Sequence, residues 1–193
     1  MSSLQNFYAD KPPTIVKLEI KKHFDNLTDQ QAAYAHNISR AAFSGTRITL
    51  RQVSPESESI YDLIIELHLC IDGNWEELRK KAGVSPEDLQ SFLEYCAQFL
   101  GNCGNYKGFG DTKFVPRCEP KVFEALAASA SPKAVELYKA SNGAIFSKNG
   151  HGMMHLGYLD DGHMSNYYPD SKHIIKADIS AISKFLEKKG LLV

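Results

Sequence analysis

The sequence predicts an α+β domain that is predominantly α-helical, with about seven helices and a small β-hairpin near residues 152–168. Capping residues, prolines at first helical positions and terminal glycines recur in the order that successive helices need. Between these signals, apolar residues recur at helical spacing. After Ile145 the composition changes to Gly, His, Met and Tyr, which favours a short β element.

The first half of the chain predicts four helices, each opened by a capping residue and followed by a glycine. Thr28, with Gln31 in the capping-box position, opens the first helix, and Gly45 follows it as a stop signal. Ser-Pro pairs open the second and fourth helices because proline fits the first helical position. The predicted segments are, in order, 28–43, 54–71, 74–83 and 85–101.

The second half predicts three more helices and the hairpin. Pro120 to Ala128 and Pro132 to Ser141 form two helices, the second closed by Asn142-Gly143. Asp161-Gly162 lies between two short runs, which is the signal of a two-residue hairpin turn. Residues 179–190 form an amphipathic helix with lysines on its polar face and a terminal glycine.

Composition limits the function classes. The chain has 193 residues, 43% of them hydrophobic, and no break in composition, so we expect a single domain over residues 1–193. Its net charge is −1 and no block of like charges occurs, which argues against nucleic-acid or membrane-surface binding. The opening residues contain no apolar run, so a cytoplasmic location is expected. The expected partner is a small organic or peptide-like ligand.

The run "GNYKGFGDTKFVP", Gly104 to Pro116, is the first candidate site. Its glycines match neither a dinucleotide fingerprint nor a phosphate loop. Tyr106 and Phe109 offer flat apolar faces, while Lys113 and Asp111 provide charges for a ligand terminus. The alternative is a structural turn that Asp111 caps and whose lysines are solvated.

The segment "HGMMHLGYLDDGHMSNYYPD", residues 151–170, is the densest reactive cluster. Histidine exchanges protons near neutral pH, and a tyrosine or aspartate can orient it or relay the proton. The alternative is that these histidines are structural or solvated. A metal site formed by His151, His155 and an aspartate is a less favoured alternative, because histidines four positions apart on a strand lie ~13 Å apart unless the chain bends sharply. Neither a metal nor a cofactor is predicted. The residues assigned to catalysis are His155, His151, Asp111 and Tyr168. The residues assigned to ligand contact are Tyr106, Phe109, Lys113, Tyr158 and Tyr167.

Several segments resemble the N-terminal lobe of the dipeptidyl peptidase III family of zinc exopeptidases. "NYKGFGDTKFVP" is nearly identical to a run of that family, and "AYAHNISRAAFSG" looks like its Tyr-x-x-x-Ser-Arg-Ala-Ala-aromatic helix. "VSPESESIYDLI" is similar to its Ser-Pro-Glu helix start, and "HLGY" and "YYPD" to a later segment. The resemblance covers essentially the whole chain. It implies that the run lines an interdomain cleft and that Phe109 lines a substrate side-chain subsite.

The family's zinc motif, HExxGH, does not occur in these 193 residues, since none of the seven histidines is followed by Glu. We therefore expect a short stand-alone homologue that works without the zinc-binding half. The predicted function is a metal-independent isomerase, cyclase or lyase that uses acid–base catalysis. The alternative is a catalytically inactive peptide-binding or protein-interaction module. A homodimer through the exposed former lobe interface is expected, because monomers rarely leave an apolar patch uncovered.

Overall fold

The computed structural model describes residues 7–107, 112–148, 156–157, 165–166 and 173–191. The protein is predominantly helical over these ranges, with a small antiparallel two-stranded sheet, which confirms the predicted fold class. The helices are α1 (Lys21–Phe24), α2 (Asp29–Ser44), α3 (Thr46–Val53), α4 (Ser57–Cys70), α5 (Trp75–Ala82), α6 (Pro86–Asn102), α7 (Pro120–Ala130), α8 (Pro132–Phe146) and α9 (Lys176–Lys188). The strands are β1 (Tyr106–Lys107), β2 (Thr112–Lys113), β3 (Leu156–Gly157) and β4 (Ser165–Asn166).

All seven predicted helices are present. The predicted caps Thr28, Asn74 and Ser85 each accept a hydrogen bond from the first turn, whereas Ser54-Pro55 does not open α4, which begins at Ser57 without a side-chain cap. The Thr28 hydroxyl accepts a hydrogen bond from the Gln31 amide, and the Gln31 side chain accepts one from the Thr28 amide. Helices α6, α7 and α8 each begin with a proline. The sequence did not predict α1 and α3. Helix α3 was missed because Gly45 was interpreted as a helix stop. Gly45 instead keeps a right-handed helical conformation, with φ −80°, and α3 begins directly after it.

Helix α8 runs past its predicted stop. Asn142-Gly143 was expected to close the helix, but Gly143 does not take a positive φ and the helix continues to Phe146. The extra turn places Ile145 in the core, where it is fully buried. Burying an aliphatic side chain contributes about 1.5–3 kcal/mol, which outweighs the ~1 kcal/mol cost of one glycine in a helix.

The position predicted for the hairpin is corrected. The antiparallel pair is β1 with β2, inside the run 104–116. In the region 152–168, β3 and β4 pair in parallel, with Leu156 opposite Ser165 and Gly157 opposite Asn166. Parallel strands cannot be joined by a two-residue turn, so the Asp-Gly signal did not give the strand direction.

The core lies among helices α4 to α8, together with Phe114, which follows β2. Fully buried aromatic rings at its centre meet edge to face, with Phe92 and Phe123 at 4.7 Å between ring centroids. Helices α2 and α9 contain no buried residue. None of the helices in the described ranges is long and apolar enough to cross a membrane.

Candidate functional site

The run 104–116 forms the centre of the candidate site through its two described stems. Tyr106 pairs with Lys113 and Lys107 with Thr112 in antiparallel register. Successive residues of a strand point to opposite faces, and here Tyr106 and Lys113 are buried, with 6% and 3% of their surface exposed. The hairpin therefore has an inner face fixed in the protein and an outer face that carries Lys107.

The inner face is attached to the start of α4 by a buried polar network. The Asn105 side-chain amide donates to Glu56 Oε1 at 2.9 Å, and its oxygen accepts from Ser54 Oγ at 3.1 Å. Ser54 and Ser57, both fully buried, share a hydrogen bond of 2.7 Å. Lys113 Nζ lies 3.4 Å from Glu56 Oε1. One buried carboxylate thus receives a donor from each stem of the hairpin.

The Lys113 ammonium also connects the hairpin to α8. It donates a hydrogen bond of 2.6 Å to the carbonyl oxygen of Ala144. Ala144 lies in the part of α8 beyond the predicted stop at Gly143, so the longer helix supplies this acceptor. The hairpin is therefore held by two helices that are distant in sequence.

The network sets the ionisation of its members. Burial is the largest influence on Glu56 and favours the neutral acid, but hydrogen bonds, first that of Asn105, and the charge of Lys113 together lower its pKa. Burial lowers the pKa of Lys113 despite the opposing Glu56 charge. Burial, and then the Glu56 charge, raises the pKa of Tyr106 to about 12. Glu56 is therefore ionised and Tyr106 keeps its proton near neutral pH, and Lys113 Nζ lies within ion-pair distance of the largely buried Glu56 carboxylate.

Gly104 allows the hairpin to approach this network closely. A Cβ atom at Gly104 would lie 2.5 Å from Cγ1 of Val53 and 3.3 Å from Oγ of Ser57. The first distance is well inside van der Waals contact, and the atoms around it are packed. Only glycine fits here without displacing the start of the hairpin.

The outer face is held by a second set of polar contacts, from the N-terminal segment. Lys107 Nζ bonds to Asp10 Oδ1 at 2.6 Å, and the Gln98 side chain donates to Asp10 Oδ2 and accepts from the Asp10 amide. Next to these contacts lies a cavity of about 420 Å³, lined also by Asn102 and residues 13–16. Its wall offers a carboxylate, an ammonium group and two side-chain amides, which are groups that bind peptide termini and peptide bonds.

Two of the predicted ligand-binding residues, Tyr106 and Lys113, are described, and they are direct cross-strand neighbours. The ammonium of Lys113 is already bonded to Ala144 and Glu56, and both side chains face the interior. Their contact with a ligand stays a prediction. The other predicted site residues lie outside the described residues, and their roles also stay predictions: His155, His151, Asp111, Tyr168, Phe109, Tyr158 and Tyr167.

Sequence reasoning missed Glu56, Asn105, Asp10 and Gln98. Glu56 lies in the Ser-Pro-Glu motif, which was interpreted only as a helix start. Asp10 and Gln98 are 88 residues apart, and no local pattern joins them. A zinc site is not formed by the described residues, among which no three His, Cys, Asp or Glu side chains group together. The sequence also lacks HExxGH, so the residues present do not fit the zinc of the family it resembles.

The fold and the site define a helical domain that carries a glycine-rich hairpin on a buried ion pair. Residues 137–193 match the model of peptidase family M49. The chain is 35% identical over 183 residues to a dipeptidyl peptidase 3 of Nematostella vectensis, covering 90% of this chain and 25% of the relative. It is 30% identical over 190 residues to that of Dictyostelium discoideum, covering 98% and 27%, and 33% identical over 186 residues to the human protein, covering 92% and 24%.

The chain is therefore homologous to part of dipeptidyl peptidase 3, which confirms the resemblance carried by its motifs. It spans about a quarter of the length of these curated relatives. The predicted metal-free isomerase, cyclase or lyase is wrong, because these matches indicate a peptidase-related function and nothing supports the other chemistries. That prediction relied on the density of His, Tyr and Asp between residues 151 and 170. Density does not establish the hydrogen-bond reach that acid–base catalysis needs.

Proposed function

We propose that this chain has a peptidase-related function, as the peptide-binding part of a dipeptidyl peptidase. The observation that carries this proposal is the homology to dipeptidyl peptidase 3 over at least nine-tenths of the chain. In the proposal, the hairpin of the run 104–116 forms a wall of the substrate cleft, and Phe109 contacts a substrate side chain.

The attachment of the hairpin supports this role. A binding wall is effective when its own side chains are held in place before the ligand arrives. The first stem is held by Glu56 through Asn105 and by Asp10 through Lys107, and the second stem is held by Glu56 through Lys113. The polar groups beside the cavity complement the amino terminus and amide groups of a peptide.

The proposal assigns peptide binding and no bond-cleaving step to these 193 residues. In the zinc hydrolase that the resemblance implies, the metal would activate water and polarise the peptide carbonyl. The ligands for that metal are not among the residues that this chain supplies to the site. We further propose a cytoplasmic location, which the four free cysteines favour because a reducing compartment keeps thiols unpaired.

Calorimetric titration with short peptides tests the proposal. The titrants are tetrapeptides with a free amino terminus, each compared with its N-acetylated form. We expect the free peptides to bind more tightly, and Phe109→Ala to weaken binding by about tenfold through loss of an aromatic contact. Phe43→Ala is the matched control, because Phe43 is 80% exposed on α2, away from the hairpin. Absence of peptide binding by the wild type, or equal effects of the two substitutions, would refute the proposal.

A further inference from the structure

The segment from Thr14 to Glu19 is a stretch of backbone without backbone partners in the described part of the chain, whereas the carbonyl of the next residue, Ile20, accepts hydrogen bonds from the amides of His23 and Phe24 at the start of α1. The segment belongs to no helix or strand. No residue from Thr14 to Glu19 forms a backbone–backbone hydrogen bond there. Every residue of the segment is exposed. Its peptide groups are therefore available to a second chain.

The side chains of this segment have the pattern of a β-strand with one apolar face. Val16, Leu18 and Ile20 alternate with Lys17 and Glu19. The three apolar side chains are 72%, 79% and 65% exposed. Lys17 and Glu19 lie on a common side, with Nζ and Oε1 3.6 Å apart. β-branched and aliphatic residues at a period of two favour pairing into a sheet.

An unpaired strand of this kind is a template for another strand. An apolar face that remains exposed is also unfavourable, since removing such side chains from water stabilises the assembly. A partner must therefore supply both backbone groups and an apolar face.

The segment is complementary to itself when two copies run antiparallel with Leu18 at the centre. In that register Leu18 faces Leu18 of the second copy, and Val16 faces Ile20. Lys17 faces Glu19 twice, once on each side of the two-fold axis. Opposite charges and apolar pairs directly across a ladder each stabilise it. A two-fold interface requires this self-complementarity.

We propose that two copies of this chain associate through residues 16–20, as an antiparallel strand pair centred on Leu18. This inference does not depend on the proposed peptidase-related function: Val16 also lines the cavity beside the hairpin, but Lys17, Leu18 and Glu19, which set the register, do not. The interface is small, and a two-stranded ribbon alone is weakly stable. The dimer therefore dissociates on dilution.

Charge reversal tests the proposal by sedimentation equilibrium of the full chain. The wild type should pass from one chain to two between about 1 μM and about 500 μM. Lys17→Glu places two acidic side chains opposite each other, and Glu19→Lys places two basic ones; each should weaken dimerisation by about tenfold or more. An equimolar mixture of the two variants restores opposite charges and should form a heterodimer. A wild type that stays monomeric throughout, or a mixture that associates no better than its components, overturns the proposal.

Disulfide trapping tests the register in a separate experiment. In a Cys70→Ser background, which removes the exposed native thiol, Leu18→Cys should cross-link two chains under mild oxidation, because the two residues face each other. The matched control is Ile48→Cys, on an exposed position of α3 that is 62% accessible. Equal cross-linking at both positions would rule out the register centred on Leu18.

Discussion

Replacing Lys113 by Met tests whether the buried ion pair holds the hairpin in place. Methionine keeps most of the aliphatic stem and removes only the ammonium group. The carbonyl of Ala144 then loses a charged donor at 2.6 Å, and Glu56 loses a cation at 3.4 Å. The Lys113 side chain is 4% exposed and that of Glu56 is 15% exposed, so water replaces these contacts poorly.

The expected cost follows from these contacts. Removing one partner of a fully buried pair costs about 3–5 kcal/mol. Glu56 keeps its hydrogen bond from Asn105 and part of its solvation, and the protein no longer has to desolvate the ammonium of Lys113. We therefore expect Lys113→Met to lower the free energy of unfolding by about 2–3 kcal/mol.

Urea unfolding at pH 7, followed by far-ultraviolet circular dichroism, measures this cost. The control is Lys107→Met, which removes a lysine from the same hairpin whose partner Asp10 is half exposed; its effect should stay below about 1 kcal/mol. The double variant Lys113→Met with Glu56→Gln should cost less than the sum of its single changes, by about 1 kcal/mol. Equal costs for the two lysine variants, or strict additivity in the double variant, would refute the buried-pair reasoning.

Two further predictions concern the same network. The lowered pKa of Glu56 means that its ionised form stabilises the folded state above the ordinary value of 4.5, and that this contribution is lost as the pH falls through the folded pKa. Urea unfolding between pH 7 and 3 should show a smaller acid loss for Glu56→Gln than for the wild type, and parallel pH profiles would contradict this. Gly104→Ala should destabilise the protein by about 1–3 kcal/mol through its clash with Val53. Gly101→Ala, a control with no atom within 4 Å of the new methyl, should be neutral or stabilising, and equal effects would refute the close approach.

The helices could be predicted because their signals are local. A capping box such as that of Thr28 and Gln31 spans four residues, and its hydrogen bonds need no tertiary contact. The errors occur where a distant contact overrides such a signal. The pair Asn142-Gly143 is typical of a helix end, but the burial of Ile145 extends α8 beyond it.

The candidate site was only partly predictable for the same reason. The run 104–116 was recognisable from its glycines and aromatic residues, and its homology is now clear. The groups that hold it were not, because Ser54 and Asn105 are 51 residues apart and only the fold brings them together. Because of its charge, Lys113 was predicted to contact a ligand. The sequence does not indicate that its ammonium group is buried against Glu56 and the carbonyl of Ala144.

The two-sided attachment of the hairpin affects how the protein loses its structure. The run shares hydrogen bonds with the start of α4, with α8 and with the N-terminal segment, and the Gly104 amide bonds to the carbonyl of Phe99 in α6, so we expect it to stay attached while these elements stay folded. The hairpin and the helical core then form one cooperative unfolding unit. A substitution in the run 104–116 therefore also changes the stability of the whole domain. This coupling restricts the sequence of the run independently of any ligand.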